Sequence, residues 1–387
     1  MSSLPELTRS IRPTWAEIDL RAFDANVDAI VSRLPDGVRL IAMLKADAYG
    51  HGAVELARRC MTRNVAMIGT ALLEEALELR RNGITLPILV LGPLKEPQVR
   101  IALEHELTLG VPGPEELEIV ARVAREKDIA IHLKIDSGMG RMGSVETEFP
   151  RVAELIRSAP RLRVDAIYTH FANAGDTADP FTNEQLARFN TLVETLREAG
   201  IDAPQHHAAN SAATMRGITP GDFVRTGIAL FGAAPLDRDA TRLRPLLRWR
   251  TEIARLKELP PGHAIGYGTT FRTTRASRIA TLPVGYADGY ARALSNQGEV
   301  LVRGKRAPVV GRVSMDLVTI DVTDIADAAL GDEVVLLGAQ GGDEIAVEEL
   351  AAKLDTIPYE VFCSVSARVP RLFTDAHDAR IRTRFDA

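Results

Sequence analysis

A lysine and a tyrosine follow an apolar run of strand length near the start of the chain. Lys45 comes directly after residues 41–44, and Tyr49 with a glycine-containing turn separates it from a helical pattern that starts near Val54. A lysine at the C-terminal end of a buried strand is desolvated, which lowers its pKa and makes the free amine available as a base or Schiff-base former. A surface lysine at the mouth of a strand is the plainer alternative, and this segment alone leaves both open.

Four more apolar runs also end in groups that could bind an anion or move a proton. These groups are Lys134, Asp136 and Arg141 in one place, then His170, then Asn210 and Ser211, and finally Arg225 and Gly227. Five separate run ends with such groups are hard to attribute to chance. They predict that one site collects side chains from several strands.

The loop after residues 129–135 carries both a cation and a glycine pattern. Alternation in this run places Lys134 on the face opposite its isoleucines, so it points into the protein and needs a counter-charge. A simple pair with Asp136 is one solution. Residues 138–143 match GxGxxG, but no helix opens directly there, so we reject a dinucleotide site. The glycines instead shape a loop that presents Arg141, which suits bidentate capture of a carboxylate or phosphate.

A phosphate site is the second chemical signal. Ser211, Gly227 and Tyr49 are candidates for a phosphate cradle, because barrels of alternating strands and helices often bind phosphate in their last two loops. A lysine and a phosphate site in one barrel suggest pyridoxal 5′-phosphate (PLP) as the cofactor.

The order of the elements supports such a barrel. Strand-like runs recur near 40–44, 65–70, 88–91, 107–111, 129–135, 164–169, 204–208 and 223–231, and helical patterns separate most of them. This rhythm predicts a (β/α)8 TIM barrel over residues 12–243, with a doubly wound open sheet as the alternative. Short alternating strands then predict a mostly antiparallel β domain over 244–387, against which residues 1–11 pack.

Composition excludes several functional classes. The 387 residues are 46% hydrophobic and 26% charged, with a net charge of −5 and no basic run, so nucleic acid is not an expected partner. No apolar stretch has the ~20 residues that a membrane span needs, and the N-terminus lacks the apolar core of a signal peptide, so a cytoplasmic location is expected. Cys60 and Cys363 are expected to be buried free thiols. No dense metal-ligand spacing occurs.

Eight segments in this order resemble alanine racemase, a PLP-dependent family with a TIM barrel and a C-terminal β domain. They are 45–52 (KADAYGHG), 134–141 (KIDSGMGR), 169–172 (THFA), 209–214 (ANSAAT), 224–228 (VRTGI), 285–289 (GYADG), 312–316 (RVSMD) and 359–360 (YE). They span nearly the whole chain, and the set is far more specific than any one motif. Ser314 departs from the cysteine that many relatives have there.

The resemblance implies a role for each matching residue. Lys45 binds PLP covalently and is one of two bases, while Tyr286 of a partner subunit is the second base on the opposite face of the cofactor. His170 hydrogen-bonds that tyrosine and contacts Arg225, which faces the pyridine nitrogen. The remaining residues hold the cofactor (Tyr49, Asn210, Ser211, Gly227, Ile228 and Tyr359), hold the substrate carboxylate (Arg141 and Met315 of the partner) or support these groups (Asp316 and Lys134, the latter through possible carbamylation).

The implied function is interconversion of L-alanine and D-alanine by a homodimer with shared active sites, which supplies D-alanine for peptidoglycan. Two bases are needed because the α-carbon loses a proton on one face and gains one on the other. Three alternatives remain open: a racemase of another small amino acid, a fold-related PLP-dependent amino-acid decarboxylase, and a PLP-binding protein without catalysis. A decarboxylase is expected to place a carboxylate at the pyridine nitrogen, where this chain has Arg225.

Overall fold

The structure, a computed structural model, describes residues 12–233, 243–375 and 379–382. Its contacts divide the chain into two compact units. Of the described residues, the barrel unit comprises Asp24–Ala48 and those within Ala53–Leu243. The C-terminal unit comprises the described residues up to Phe23, the short segment Tyr49–Gly52 and the described residues from Arg244 onward.

Eight parallel strands close into a barrel. After β1 (Thr14–Asp19), which lies outside the barrel, these strands are β2 (Arg39–Met43), β3 (Met67–Thr70), β4 (Ile88–Val90), β5 (Thr108–Val111), β6 (Ile129–Lys134), β7 (Leu162–Tyr168), β8 (Gln205–His207) and β9 (Phe223–Thr226). Each of the eight falls within or close to a run predicted from the sequence, so the TIM barrel is confirmed and the open sheet is excluded. The last run was predicted too long, because residues Ile228–Phe231 form a 3₁₀ helix.

One helix precedes the first barrel strand, and the others connect the barrel strands. In chain order these helices are α1 (Leu20–Val31), α2 (Ala53–Cys60), α3 (Leu73–Arg81), α4 (Glu96–Glu104), α5 (Pro114–Val123), α6 (Phe149–Arg157), α7 (Phe181–Glu198) and α8 (Ser211–Met215). Their apolar faces are buried, as in α5, where Leu117, Val120 and Val123 lie in the core. This packing fixes the strand ends that carry the polar side chains.

The C-terminal unit is built on a mostly antiparallel eight-stranded sheet. Its path runs β16 (Lys305–Pro308), β15 (Glu299–Val302), β18 (Glu333–Gln340), β10 (Leu247–Glu252), β1, β20 (Arg371–Thr374) and β21 (Ala379–Arg382), with β19 (Asp343–Ile345) paired to β18. The smaller sheets contain β11 (Arg255–Leu259), β14 (Ser277–Leu282) and β17 (Val318–Asp321), and β12 (Ala264–Ile265) with β13 (Phe271–Arg272). Helices α9 (Val347–Lys353) and α10 (Pro358–Ser364) complete the unit.

Two details differ from the expected domain boundaries and thiol positions. Strand β1 pairs with β10 and with β20, so the first described residues belong to the C-terminal unit rather than to the barrel range 12–243. The expected packing of residues 1–11 lies outside the described residues. Cys60 is buried as expected, but the prediction for Cys363 was wrong because this thiol is exposed.

Candidate active site

The lysine that follows β2 begins an unusual left-handed turn. Ala46, Asp47, Ala48 and Tyr49 all have φ between 50° and 55°. Each non-glycine residue in this region costs roughly 1–2 kcal/mol. In the barrel unit the turn is held by the amide of Ala46, which donates to Glu75 at 2.6 Å, and by Asp47, which accepts from the amide of Ala53 at 2.7 Å. Half-buried Lys45 is therefore fixed at the strand end by backbone that resists rearrangement.

Arg225 is a buried cation surrounded by neutral acceptors. Its Nη1 donates to His207 Nδ1 at 2.6 Å and to the His207 carbonyl, while its Nη2 donates to the carbonyls of Thr169 and Ala208 and to His170 Nδ1 at 3.1 Å. Burial lowers the pKa of Arg225 to about 10, which still leaves it protonated at neutral pH. Among the described residues it has no carboxylate partner, and its Nε–H is the donor left without an acceptor.

Two histidines that the sequence analysis passed over extend this network into the barrel. A guanidinium only donates, so His207 accepts at Nδ1 and carries its proton on Nε2, which lies 3.0 Å from His132 Nδ1. Burial, then the charge of Arg225, keeps the pKa of His207 well below its usual value, and burial lowers the pKa of His132 to about 4. Both rings are thus neutral. Strand β7 separates their strands, so they meet across the barrel interior.

His170 follows β7 and is held in one tautomer. Because Arg225 donates to its Nδ1, the ring proton of neutral His170 sits on Nε2. Burial is the main cause that lowers its pKa well below the usual value, and the charges of Arg225 and Arg141 add to it. His170 therefore offers one N–H donor beside a permanent positive charge.

Lys134 points into the barrel as the alternation predicted, with its Nζ 6.0 Å from the Tyr168 ring. Burial lowers its pKa to about 8, and the charges of Arg141 and Arg225 act in the same direction. Asp136 does not neutralise it by pairing, since its carboxylate accepts the amides of Gly138, Met139 and Gly140, each at 2.8 Å. In the described parts of the chain Lys134 forms no salt bridge.

The same Asp136 contacts shape the loop that carries Arg141. Three amides folded around one carboxylate fix the backbone, and the guanidinium of Arg141 stands exposed beyond them. The helix α6 begins only at Phe149, which agrees with the rejection of a dinucleotide site. The loop therefore holds a cation exposed at its surface.

The candidate phosphate cradle forms between β8 and β9. Ser211 Oγ accepts the amide of Gly227 at 2.9 Å, next to the first amide of the 3₁₀ helix that starts at Ile228. Both polar atoms of the Asn210 side chain are hydrogen-bonded: Oδ1 accepts from the amide of Ala213, and one N–H of Nδ2 donates to the Phe171 carbonyl. Asn210 thus caps α8 and positions Ser211, and the second N–H of Nδ2 is still available to a ligand.

In the C-terminal unit, Tyr286 and Met315 lie side by side. The amide of Tyr286 donates to the Ser314 carbonyl, and that of Ala287 donates to the Met315 carbonyl, both at 3.0 Å. A side chain on Gly285 would place its Cβ 2.3 Å from the Met315 carbonyl oxygen, so only glycine permits this approach. Ser314 contributes only its backbone carbonyl, so serine in place of the cysteine of many relatives leaves this contact unchanged.

A cluster of ion pairs braces these two segments. The buried carboxylate of Asp288 accepts two bonds from Arg12, at 2.7 and 2.9 Å, and one from the amide of Gly285 at 3.0 Å. Arg368 reaches both Asp288 and Asp316, the latter at 2.6 Å. Asp316 thereby ties the Met315 loop to the turn that carries Tyr286.

Tyr49 and Tyr359 also lie together in this unit. Their ring centroids are 5.7 Å apart. Burial raises the pKa of both phenols above the ordinary value. Both therefore remain O–H donors at physiological pH, as a phosphate ligand requires.

Two family models cover the chain. One described as "Alanine racemase, N-terminal domain" matches residues 18–235, and one described as "Alanine racemase, C-terminal domain" matches residues 246–373. The chain belongs to the alanine racemase family. The resemblance drawn from the eight sequence segments is confirmed.

Individual alanine racemases are similar over nearly their whole length. That of Halothermothrix orenii is 43% identical, over 94% of this chain and 97% of its own, and that of Symbiobacterium thermophilum is also 43% identical over the same shares. The crystal structure of alanine racemase from Bacillus anthracis with bound L-Ala-P is 37% identical and covers 97% of this chain and 99% of its own, with a TM-score of 0.92. Biosynthetic alanine racemase from Pseudomonas aeruginosa reaches 0.85 at 33% identity, over 94% and 100% of the chains.

The alanine racemase barrel of this chain gathers most of the expected residues. Arg225, His170 and Lys134 form one electrostatic group in the barrel unit, and Lys45 and Arg141 contribute charge to it. Tyr49, Tyr286, Met315, Asp316 and Tyr359 belong to the C-terminal unit. Across the described ranges there is no cluster of side chains suited to a metal ion and no helix that could cross a membrane.

One more tyrosine of the C-terminal unit was missed. Tyr267 stands on the 3₁₀ turn between β12 and β13, bracketed by Gly266 and Gly268, which both have positive φ. Its side chain is 75% exposed, against 42% for Tyr286. The bracketing glycines are the signal that could have found it, because they mark a tight turn that lifts the phenol off the surface.

Proposed function

We propose that this chain interconverts L-alanine and D-alanine as a PLP-dependent racemase. The observation that carries the proposal is Arg225, a buried cation whose acceptors are all neutral and whose Nε–H has none among the described residues. A neutral pyridine nitrogen is the partner that suits this donor. A decarboxylase of similar architecture would need a carboxylate there, so this arrangement disfavours that alternative.

The donor set fits PLP in three places. Lys45 supplies the primary amine for covalent attachment, and Arg225 supplies the donor for the ring nitrogen. The hydroxyl of Ser211 and the amide of Ile228 supply donors for the phosphate, Gly227 forms the turn beside them, and the family resemblance adds the phenols of Tyr49 and Tyr359. When bound, PLP withdraws electrons from the α-carbon of the amino acid, so that its proton becomes acidic enough to remove.

Two bases must flank that carbon, and we assign Lys45 to one face. The other base comes from the partner subunit, so it must project from the surface of its own chain. Tyr286 was expected in this role, but its backbone is tied to the Met315 loop and its side chain is more than half covered. Tyr267 projects further, on a turn shaped for it. We therefore propose Tyr267 of the partner subunit as the second base, with Tyr286 beside it.

The barrel supplies what a phenol needs to act as a base. An ordinary tyrosine has a pKa of about 10 and is protonated at neutral pH. The Nε2–H of His170 can donate to the phenolate oxygen, and the charge of Arg225 behind it stabilises the anion. His170 is neutral and its Nδ1 accepts from Arg225, so the ring carries only the proton on Nε2 that makes this bond.

Substrate orientation falls to Arg141 and, from the partner, Met315. We propose that Lys134 becomes the counter-ion of Arg141 by carbamylation. A lysine with a pKa of about 8 has a substantial neutral fraction near physiological pH. Its amine nitrogen attacks carbon dioxide, forms an N–C bond and releases one proton, and the product is an anion. Carbamylation therefore replaces the positive charge of Lys134, which lies close to the cations Arg141 and Arg225, with a negative charge that can pair with them.

The proposal includes a homodimer in the cytoplasm that supplies D-alanine for peptidoglycan. The exposed apolar side chains of Tyr286, Met315, Leu317 and Ile357 support a partner surface on the C-terminal unit. A racemase for another small amino acid is the nearest alternative. The choice between alanine and a larger substrate depends on the size of the pocket. The bulky side chains of Tyr286, Ile357 and Tyr359 favour alanine.

Isotope exchange tests the chemistry directly. Incubation of the PLP-loaded protein with L-alanine in heavy water should give D-alanine and deuterium at the α-carbon of both enantiomers. The Lys45→Ala variant should lose both the reaction and the absorbance of covalently bound PLP. Carbon dioxide release would indicate a decarboxylase, and faster racemisation of another amino acid in a substrate panel would reassign the substrate. If no α-label appears, the proposed function is wrong.

A further inference from the structure

The segment Tyr49–Gly52 lies within the barrel part of the sequence but belongs to the C-terminal unit by its contacts. The Nε–H of Arg371, the first residue of β20, donates to the Gly50 carbonyl at 3.0 Å. The remaining guanidinium nitrogens donate to the carbonyls of Val365, Ser366 and Val369, each at 2.6 Å. One buried arginine therefore joins the residue after Tyr49 to a loop that is distant in sequence.

That loop begins where α10 ends, and α10 carries Tyr359 near its start. The guanidinium of Arg371 thus connects the two backbone segments that present Tyr49 and Tyr359. The two rings are 5.7 Å apart, so a small movement of either segment changes the spacing of their hydroxyls. The planar fork of arginine fixes the direction of each bond, whereas the ammonium of lysine has only three donors.

The backbone of the segment is packed so closely at its two glycines that no side chain fits there. A Cβ on Gly50 would lie 2.5 Å from the Phe362 carbonyl oxygen in α10, and one on Gly52 would lie 2.5 Å from the Phe373 ring in β20. Both glycines also have positive φ, at 80° and 96°. His51 between them packs edge-on against Phe362, with ring centroids 4.7 Å apart. Residues 49–52 therefore pack against both α10 and β20, and Arg371 of β20 donates to the loop that follows α10.

We propose that Arg371 is a positioning residue for the cofactor phosphate: it holds Tyr49 and Tyr359 at the spacing at which both phenols reach one phosphate group. This inference rests on the proposed binding of PLP by these two tyrosines. It assigns the geometry of the phosphate site to a side chain that touches neither cofactor nor substrate.

A matched control exists in the barrel unit. Arg80 also donates to four backbone carbonyls, those of Ile84, Leu86, His105 and Glu106, and none of these residues is in the candidate site. Arg371→Lys and Arg80→Lys therefore remove the same kind of carbonyl fork in two places. Both should lower the midpoint of thermal unfolding.

Only Arg371→Lys should change the phosphate site. The full-length protein, depleted of cofactor and titrated with PLP, should bind it about 10-fold more weakly, because bonds from a charged donor are lost. Hydrogen–deuterium exchange of residues 46–52 in the same variant should be faster than in the wild type, with and without PLP. Arg80→Lys should match the wild type in both measurements.

The inference is overturned if Arg371→Lys binds PLP as tightly as the wild type. It is equally overturned if both variants lose affinity in proportion to their loss of stability. If wild-type protein binds no PLP, the proposed function fails and the inference about the phosphate fails with it, whereas a wild type that binds PLP and an Arg371→Lys variant that binds it no more weakly overturn the inference alone. Should Arg371→Lys not fold, Gly50→Ala disturbs the same connection from its other end and should show the same weak binding.

Discussion

His207 accepts a hydrogen bond at Nδ1 from the guanidinium of Arg225, at a distance of 2.6 Å. Both groups are buried, and the direction of this bond sets the tautomer of His207 and, through it, the acceptor role of His132 Nδ1. A neutral imidazole therefore holds the cation without neutralising it. This keeps the full charge of Arg225 available to His170 and to the proposed cofactor ring.

Replacing His207 should destabilise the protein and impair catalysis together. In His207→Leu the buried Nη1 of Arg225 loses one of its two acceptors and keeps the carbonyl of residue 207, and the loss costs about 1–3 kcal/mol of unfolding free energy. Urea unfolding and kcat would measure the two effects. His206→Leu is the control on the same strand, because its ring contacts Phe189 of α7 rather than the Arg225 network. Equal effects of the two substitutions would argue against a specific role of His207.

Reversing the charge at Arg225 should change the cofactor itself. In Arg225→Glu a carboxylate would face the pyridine nitrogen and share a proton with it, which makes the ring a stronger electron sink. We expect racemisation to fall and a new absorbance band to appear at longer wavelength when alanine is added. Arg225→Lys, which keeps the charge, should show no such band. Absence of the band in Arg225→Glu would contradict the proposed contact.

Substitution of the two tyrosines separates the candidates for the second base. Tyr267→Phe should reduce kcat by on the order of 100-fold or more, the usual contribution of a positioned acid–base group, while Tyr286→Phe should retain more of it. Mixing inactive Lys45→Ala and Tyr267→Phe subunits should restore activity, because a mixed dimer has one intact site. The opposite ranking would return the role to Tyr286, and no recovery despite proven subunit exchange would place both bases in one chain.

The buried amine of Lys134 should make stability depend on pH when carbon dioxide is absent. Its pKa is about 8 in the folded protein and near 10.4 in an unfolded chain, so between these values the unfolded state binds more protons. Stability relative to Lys134→Met should therefore rise as pH increases through this window, as thermal unfolding would show. With ¹³C-bicarbonate, NMR should detect a carbamate carbon that Lys134→Met lacks. A flat stability difference without carbon dioxide would rule out a depressed pKa.

Adding one methyl group at Gly285 should disturb the substrate loop. The new Cβ would collide with the Met315 carbonyl oxygen, and such overpacking costs about 1–3 kcal/mol. Gly285→Ala should lower the thermal midpoint and raise KM for alanine. Gly342→Ala is the control, since nothing lies within 4 Å of its added Cβ. Unchanged KM in Gly285→Ala would mean that the position of Met315 does not matter for substrate binding.

The barrel and its polar strand ends could be predicted because both follow local rules. Parallel strands place their C-terminal residues at one end of a barrel, so Lys45, Lys134 and His170 could be grouped from sequence position alone. The inward direction of Lys134 followed from the two-residue period of a strand.

Features that depend on distant contacts were not predictable in this way. His132 and His207 meet across the barrel, and their strands are not neighbours. Gly266 and Gly268 mark the turn that carries Tyr267, but the exposure of its side chain depends on how the turn between β12 and β13 stands away from the surface. The left-handed turn at Ala46–Tyr49 goes against the intrinsic preference of every residue in it, so no local pattern could indicate it.

Strand β1 pairs in parallel with β20, and the register places Ala16 beside Arg371. During synthesis on the ribosome, therefore, this edge of β1 stays unpaired until almost the entire chain has been made and β20 emerges. Such a late partner leaves a strand open to wrong pairing, which is a known hazard of folding with long sequence separation. Truncations that remove β20 should consequently harm the N-terminal end of the molecule as much as its C-terminal end.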